Sequence, residues 1–149
     1  MIDKKTIVGG TFDLFHKGHE TLLENAFKLG IVVVGLTSNK MALQRKQREV
    51  EDYKERENSI LRFANSQNKN IKIKKIEDSI GFSLDDSFER IVVTKDNKET
   101  AEEINEKREK EGKTPLEIVE VDLLLAKDGK PISSTRIRNG EIDKDGNLI

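Results

Sequence analysis

Cysteine is absent from the 149 residues. That excludes disulfides, thiolate zinc sites and a cysteine nucleophile, and it suits a reducing compartment. Long hydrophobic runs are missing too. No segment approaches the roughly 20 apolar residues of a membrane span, and the stretch after Met1 is broken at Gly9-Gly10, too soon for a signal peptide. A cytoplasmic protein with no membrane partner is expected. Aromatic residues are scarce at 5%, and 27 basic residues nearly cancel 28 acidic ones, leaving a net charge of −1. Nucleic-acid binding calls for a basic face and stacking platforms, so no nucleic-acid partner is expected. Apolar residues make up only 34% and charged residues 37%, a small core under a heavily charged surface. The length predicts one domain over residues 1–149. Histidine is scarce: there are two, both inside four residues.

What is present alternates between strand and helix. Thr6-Ile7-Val8 reads as a short buried strand ending at Gly9-Gly10. Leu22, Leu23, Ala26, Phe27 and Leu29 recur at helical spacing over 18–29, and Gly30 stops that helix. The β-branched run Ile31–Leu36 predicts a parallel strand covered on both faces. The basic stretch 39–51 reads as a mobile loop or partly helical flap. Residues 52–66 predict a helix with Tyr53, Ile60, Leu61 and Ala64 inward. The alternation over 71–76 predicts an edge strand with one wet face. A loop with a short helical turn follows over 78–89, then a strand over 90–94. A charged helix over 97–111 turns Ala101 and Ile104 inward and ends at Gly112. A fifth strand spans 116–121. Ser133-Ser134-Thr135 caps a last short helix, and the polar tail beyond Gly140 is expected to be loosely held. The fold class is therefore α/β: a Rossmann-like, doubly wound, mainly parallel five-stranded sheet with helices on both faces. Ligands of such sheets bind beyond the carboxyl ends of the strands.

Two segments carry the chemistry. In the first, Gly9 and Gly10 let backbone N–H groups approach a phosphate. Thr11 adds a hydroxyl, Asp13 fixes the bend, and His16 and His19 fall on one side of a helix start with Gly18 leaving room between them. Two histidines with no cysteine and no third ligand do not make a zinc site, and no metal-ligating residue is assigned. In the second, Ile132–Arg138 offers three hydroxyls and two guanidiniums at another helix start. Both segments are anion-binding designs, and together they suggest a nucleoside triphosphate site.

Gly10-Thr11-Phe12-Asp13 followed by His16-x-Gly18-His19 resembles the HxGH signature of the nucleotidyltransferase superfamily. Ile132–Arg138 is similar to its second signature, ISSTxIR. Residues 8–13, 35–38, 100–108 and 126–131 look like the archaeal and eukaryotic type of pantetheine-phosphate adenylyltransferase, and the resemblance covers nearly the whole length. It implies transfer of the adenylyl group of ATP to 4′-phosphopantetheine, with Mg2+ accompanying ATP. It also implies roles for residues. His19 would stabilise charge at the α-phosphate, and His16 would contact the triphosphate. Gly9, Gly10, Thr11, Phe12 and Gly18 would form the nucleotide cradle. Ser133, Ser134 and Thr135 would hold the β- and γ-phosphates, with Arg136 as a clamp. Thr11 and Thr37 would meet the acceptor. One of Lys40, Lys46 or Arg48 would complete the site, with Lys46 favoured for catalysis and the acceptor. Asn97, Lys98 and Asn105 would lie near adenine and ribose. A monomer is expected.

Overall fold

Lys5–Gly10 (β1), Ile31–Thr37 (β2), Lys72–Ile76 (β3), Phe88–Val93 (β4) and Glu117–Glu120 (β5) form one sheet in the spatial order β3-β2-β1-β4-β5. Every neighbouring pair is parallel. The structure is a computed structural model and describes residues 5–78 and 80–149. Residues 1–4, read above for a leader, and Ser79 of the predicted 78–89 loop lie outside the described residues. Among the described residues no helix is long and apolar enough to cross a membrane.

Helices Lys17–Phe27 (α1), Asn39–Lys46 (α2), Tyr53–Ser66 (α3), Lys98–Lys110 (α4) and Ser134–Arg138 (α5) link or follow the strands. Strand periodicity explains how they divide between the faces. Val32, Val34 and Leu36 of β2 pack with Leu23 and Phe27 of α1 and Ile60 and Phe63 of α3. Val33 points the other way and packs with Ile7, Ile91, and Ala101 and Ile104 of α4. Both faces are thus covered, as the uninterrupted apolar run requires. On the α4 face a turn of 3₁₀ helix, Gly81–Leu84, lies so close to β2 that a Cβ on Gly35 would fall 2.5 Å from the Phe82 ring. β3 is the expected edge strand; Lys72, Lys74 and Lys75 are exposed there, and charge on an open edge discourages pairing with another chain.

Of the two alternatives for 39–51 the partly helical one holds: residues 39–46 are a helix, which Ser38 caps through Met41 N–H and which buries Met41 and Ala42. Two expectations need correction. On α3 the inward stripe is Arg56, Ile60, Phe63 and Ala64, spaced i, i+4, i+7, i+8; Leu61 lies off that stripe and is 38% exposed. The tail beyond Gly140 is not loose. Ile142 is fully buried against Ala126 and Ile132, and the Asp143 carboxylate gathers the N–H and side-chain amide of Asn147. The Lys144 carbonyl accepts from Lys17 N–H at 3.0 Å, at the start of α1.

Within this frame the chain crosses from β3 to β4 by stepping over β2 and β1, so strand order reverses beside β1. The carboxyl ends of β1 and β4 therefore flank the switch point, where a crevice is expected.

Candidate active site

The turn leaving β1 is held in an unusual backbone path. Phe12 and Leu14 both take left-handed φ values, 53° and 49°, which cost non-glycine residues on the order of 1 kcal/mol each. Contacts on both sides hold the path. The Phe12 ring is buried and tilts onto His19, with centroids 5.0 Å apart. The Leu14 N–H donates to Glu51 at 2.8 Å.

His16 is the N-cap of α1. Its Nδ1 accepts from the N–H groups of Gly18 at 3.1 Å and His19 at 3.4 Å, and the Nδ1 of His19 accepts from the N–H of His16 at 3.2 Å. The two rings stack at 3.7 Å. With each Nδ1 accepting from backbone, each neutral ring carries its proton on Nε2. Burial, then the nearby Lys46 ammonium, push His16 down to about 4. Burial and the adjacent His16 hold His19 well below its ordinary range. Near neutrality the pair is uncharged and offers two Nε2–H donors. Gly18 makes the arrangement possible, since a Cβ there would lie 2.9 Å from Cε1 of His16.

Asp13 joins the two signature segments. Its side chain is fully buried and accepts from Arg48 Nη1 at 2.8 Å, Arg138 Nε at 3.1 Å, Arg138 Nη2 at 3.2 Å and Glu51 N–H at 2.9 Å. Burial alone would raise the carboxyl, but Arg138, the Glu51 N–H and Arg48 outweigh it and hold it at about 2. Arg48 continues across to the second segment, donating to Ser134 Oγ at 2.8 Å and Thr135 Oγ1 at 3.2 Å. A second buried arginine, Arg56, sits under the turn. It donates to the carbonyls of Glu51, Thr11 and Thr37, to Thr37 Oγ1 and to Asn39 Oδ1.

These supports frame a crevice of about 520 Å³ at the switch point. Its floor is Gly9 and Gly10; at Gly9 a Cβ would meet nothing nearer than the Gly35 carbonyl at 3.9 Å, so the missing side chain opens the space above. Thr11, Phe12, His16, Gly18 and His19 line one side, and Ser133 and Ser134 line another. The two signatures meet as anticipated from their chemistry. Lys46 also lines the crevice, and among the described residues it makes no ion pair. Desolvation by the walls, then the charge of Arg48, lower its ammonium pKa. Of its two rivals, Lys40 is exposed on α2 outside the lining, and Arg48 is spent on Asp13 and the α5 hydroxyls.

Other assigned residues lie elsewhere. Thr37 is fully buried behind Thr11, its hydroxyl 3.0 Å from the Thr11 hydroxyl, and does not line the crevice. Thr135 is tied to Arg48 outside the lining. Arg136 turns away to Asp128, Glu141 and the Pro131 carbonyl; loop 128–131 and the start of the tail outcompete the crevice for its guanidinium. Lys98 pairs with Glu120 at 3.2 Å. Asn105 spends its whole amide on Leu116, accepting from its N–H at 2.7 Å and donating to its carbonyl at 2.9 Å. It braces α4 against the start of β5, away from the crevice. Asn97 does line it, beside Thr94, Asp96 and Thr100.

Sequence reasoning missed Arg56, Arg138 and Glu51 as supports. Arg56 was findable: it stands four residues before Ile60 on the apolar stripe of α3, and an arginine there must be buried and paired. Nothing local in the sequence marks Arg138 or Glu51 as partners of the first turn.

A Rossmann-like parallel sheet with paired imidazoles at the first strand-to-helix turn and a hydroxyl-rich helix start across the crevice defines a nucleotidyltransferase. The family described as cytidylyltransferase-like matches residues 7–140. The chain belongs to that family, and within it to the group of phosphopantetheine adenylyltransferases. It is 41% identical over 150 residues to the phosphopantetheine adenylyltransferase of Methanosarcina mazei, covering 97% of this chain and 96% of that one. It is 43% identical over 148 residues to the protein of that name from Archaeoglobus fulgidus, covering 97% and 99%. Among solved structures, a protein of unknown function from Archaeoglobus fulgidus superposes with a TM-score of 0.74 at 37% identity, over 79% of this chain and 89% of that one. A pantoate-beta-alanine ligase from Francisella tularensis shares the fold at 13% identity, with a TM-score of 0.60 over 93% and 67%.

Proposed function

We propose that the chain transfers the adenylyl group of ATP to 4′-phosphopantetheine, giving dephospho-coenzyme A and pyrophosphate, a step of coenzyme A synthesis. The convergence of residues 9–19 with Ser133 and Ser134 on one crevice rich in proton donors carries the reading. An oxygen of the acceptor phosphate attacks the α-phosphorus, a new P–O bond forms, and the bond from Pα to the bridging oxygen breaks as pyrophosphate leaves in line. The attacking phosphate is already anionic, so no strong base is needed, and catalysis rests on positioning and charge stabilisation. The Nε2–H groups of His16 and His19 donate to triphosphate oxygens, His19 to the charge growing at the α-phosphate. Gly9 and Gly10 let the backbone approach. Lys46 neutralises phosphate charge between donor and acceptor, and Ser134 donates toward the leaving phosphates.

A small, mostly apolar pocket of about 40 Å³ adjoins the crevice, sharing Gly9, Gly10, Arg45, Asn97 and Thr100 with it and reaching Phe82, Ile91 and Ile104. An acceptor with an anionic end and an uncharged arm suits that pairing. For Mg2+ the chain's own donors do not fit: among the described residues no three His, Asp or Glu side chains gather as a cation cage, and Asp13 is committed to two arginines. Mg2+ is therefore proposed to enter on the triphosphate, held by its oxygens and water, and no step runs through it.

The test is incubation of the protein with ATP or CTP and a panel of acceptors: phosphopantetheine, glycerol phosphate, a flavin phosphate and nicotinamide mononucleotide. Formation of dephospho-coenzyme A from ATP supports the reading. Turnover of another acceptor with none of phosphopantetheine would overturn it.

A further inference from the structure

Beneath the crevice, three residues from three elements form a one-way chain of hydrogen bonds. Arg56 is fully buried, and its Nη1 lies 3.0 Å from the Thr11 carbonyl, 2.9 Å from the Thr37 carbonyl and 3.3 Å from Thr37 Oγ1. A guanidinium only donates, so the Thr37 oxygen accepts from it. Thr37 has one hydroxyl proton, and the residue is fully buried. Among the described residues the one acceptor within reach of that proton is Thr11 Oγ1, at 3.0 Å. Thr37 therefore donates to Thr11. A buried hydroxyl left without this bond would carry a desolvation cost of about 1–3 kcal/mol, which fixes the direction. Thr11 already accepts from Thr37, so its own proton is left for the crevice, whose wall it forms.

We propose that Thr37 and Arg56 are positioning residues that set the polarity of the Thr11 hydroxyl, so that Thr11 always presents a proton to an anionic acceptor oxygen. The inference rests on the proposed phosphate acceptor and deepens it. At Thr11 a phosphate oxygen, which brings lone pairs and no proton, is matched; an alcohol that must lose a proton as it attacks is not. Thr37 thereby selects for acceptors that arrive charged, without touching them. Its burial explains why it acts through Thr11 and not as a contact of its own.

Thr37→Val keeps the shape and removes the hydroxyl. Its KM for phosphopantetheine should rise about tenfold, on the scale of one hydrogen bond to a charged group, while KM for ATP stays within about twofold of wild type. Thr37→Ser should restore the wild-type value. Thr11→Val and the double variant Thr11→Val/Thr37→Val should lose the same amount, because the effect of Thr37 passes through Thr11. A second readout needs no turnover: inorganic phosphate is titrated into protein saturated with a non-hydrolysable ATP analogue, where Thr37→Val should weaken phosphate binding and Thr37→Ser should not. Unchanged phosphate affinity and acceptor KM in Thr37→Val, an equal rise in the KM for ATP, additive losses in the double variant, or failure of serine to rescue would each overturn the proposal. If the wild type makes no dephospho-coenzyme A but Thr37→Val still weakens phosphate binding, the acceptor assignment fails and the polarity relay stands.

Discussion

Asp13 and Arg138 lie 125 residues apart in the chain and meet through two hydrogen bonds of 3.1 and 3.2 Å. That pair, with Arg48 sharing the Oδ2 oxygen that Arg138 Nε also reaches, clamps the first signature to the second. Removing one partner from a buried ion network strands the others without compensation. Asp13→Asn should lower unfolding free energy by about 3–5 kcal/mol, read from urea denaturation, and should depress activity further because the two halves of the crevice are no longer held together. A variant as stable as wild type would mean that solvent already screens the cluster.

The mutual capping of His16 and His19 makes a statement about pH. His16 falls from its ordinary value of 6.5 to about 4, because burial and Lys46 disfavour the charged ring. A depressed value means that the unfolded chain binds the proton more readily. The corresponding stability is complete above pH 6.5 and is lost progressively as pH falls from 6.5 toward about 4. Chemical denaturation at a series of pH values should show that decline, and His16→Gln should reduce it while leaving the part that the likewise depressed His19 contributes. His19→Ala should reduce kcat by roughly 10²-fold while leaving KM for ATP nearly unchanged, on the scale of one lost transition-state donor. Parallel losses in kcat and ATP affinity would instead make His19 a ground-state anchor.

Gly18 tests the histidine geometry without touching a functional group. A Cβ there would lie 2.9 Å from His16 Cε1 and 3.0 Å from its Nδ1, so Gly18→Ala must push the imidazole out of its capping position. Displacement of about 1 Å can cost on the order of 10²-fold in rate. Loss of the cap adds about 1 kcal/mol of destabilisation. Steady-state rates beside thermal melts separate the two, and the rate should suffer out of proportion to the melt.

Ile142 anchors the tail. Ile142→Ala removes a fully buried side chain from the small cluster with Ala126 and Ile132 and should cost about 2–4 kcal/mol, measured by denaturation. Leu148→Ala, at a position 55% exposed, is the control and should leave stability within about 0.5 kcal/mol.

The elements that announced themselves did so through local pattern. The apolar run over 31–36 could only be a strand buried on both faces, and the spacing of Leu22, Leu23, Ala26 and Phe27 could only be a helix. The signature segments showed their chemistry because hydroxyls, imidazoles and glycines have few other reasons to cluster. What stayed hidden depends on contacts distant in sequence. Which way Arg136 and Arg138 turn is decided by Asp128 and Asp13, neither adjacent in the chain. Asn105 reads as a ligand contact until the Leu116 backbone is seen to occupy both ends of its amide. Thr37 reads the same way until the sheet places its hydroxyl behind Thr11. The tail reads as polar because a single buried isoleucine, Ile142, among charged residues makes no periodic signal, yet with the backbone bonds around it that side chain seats the segment.

The bond from Lys17 N–H to the Lys144 carbonyl joins the helix bearing the two histidines to the last stretch of chain described. Contacts of such long sequence separation form late, since loop closure must be met before they reward it. The strand–helix–strand unit over 5–37 can therefore gather its apolar face early, yet it has no finished polyphosphate cradle while it stands alone. On the proposed function, nucleotide affinity would belong to the completed crevice, and its appearance during refolding would time the arrival of Ser133 and Ser134 and not the pairing of β1 with β2.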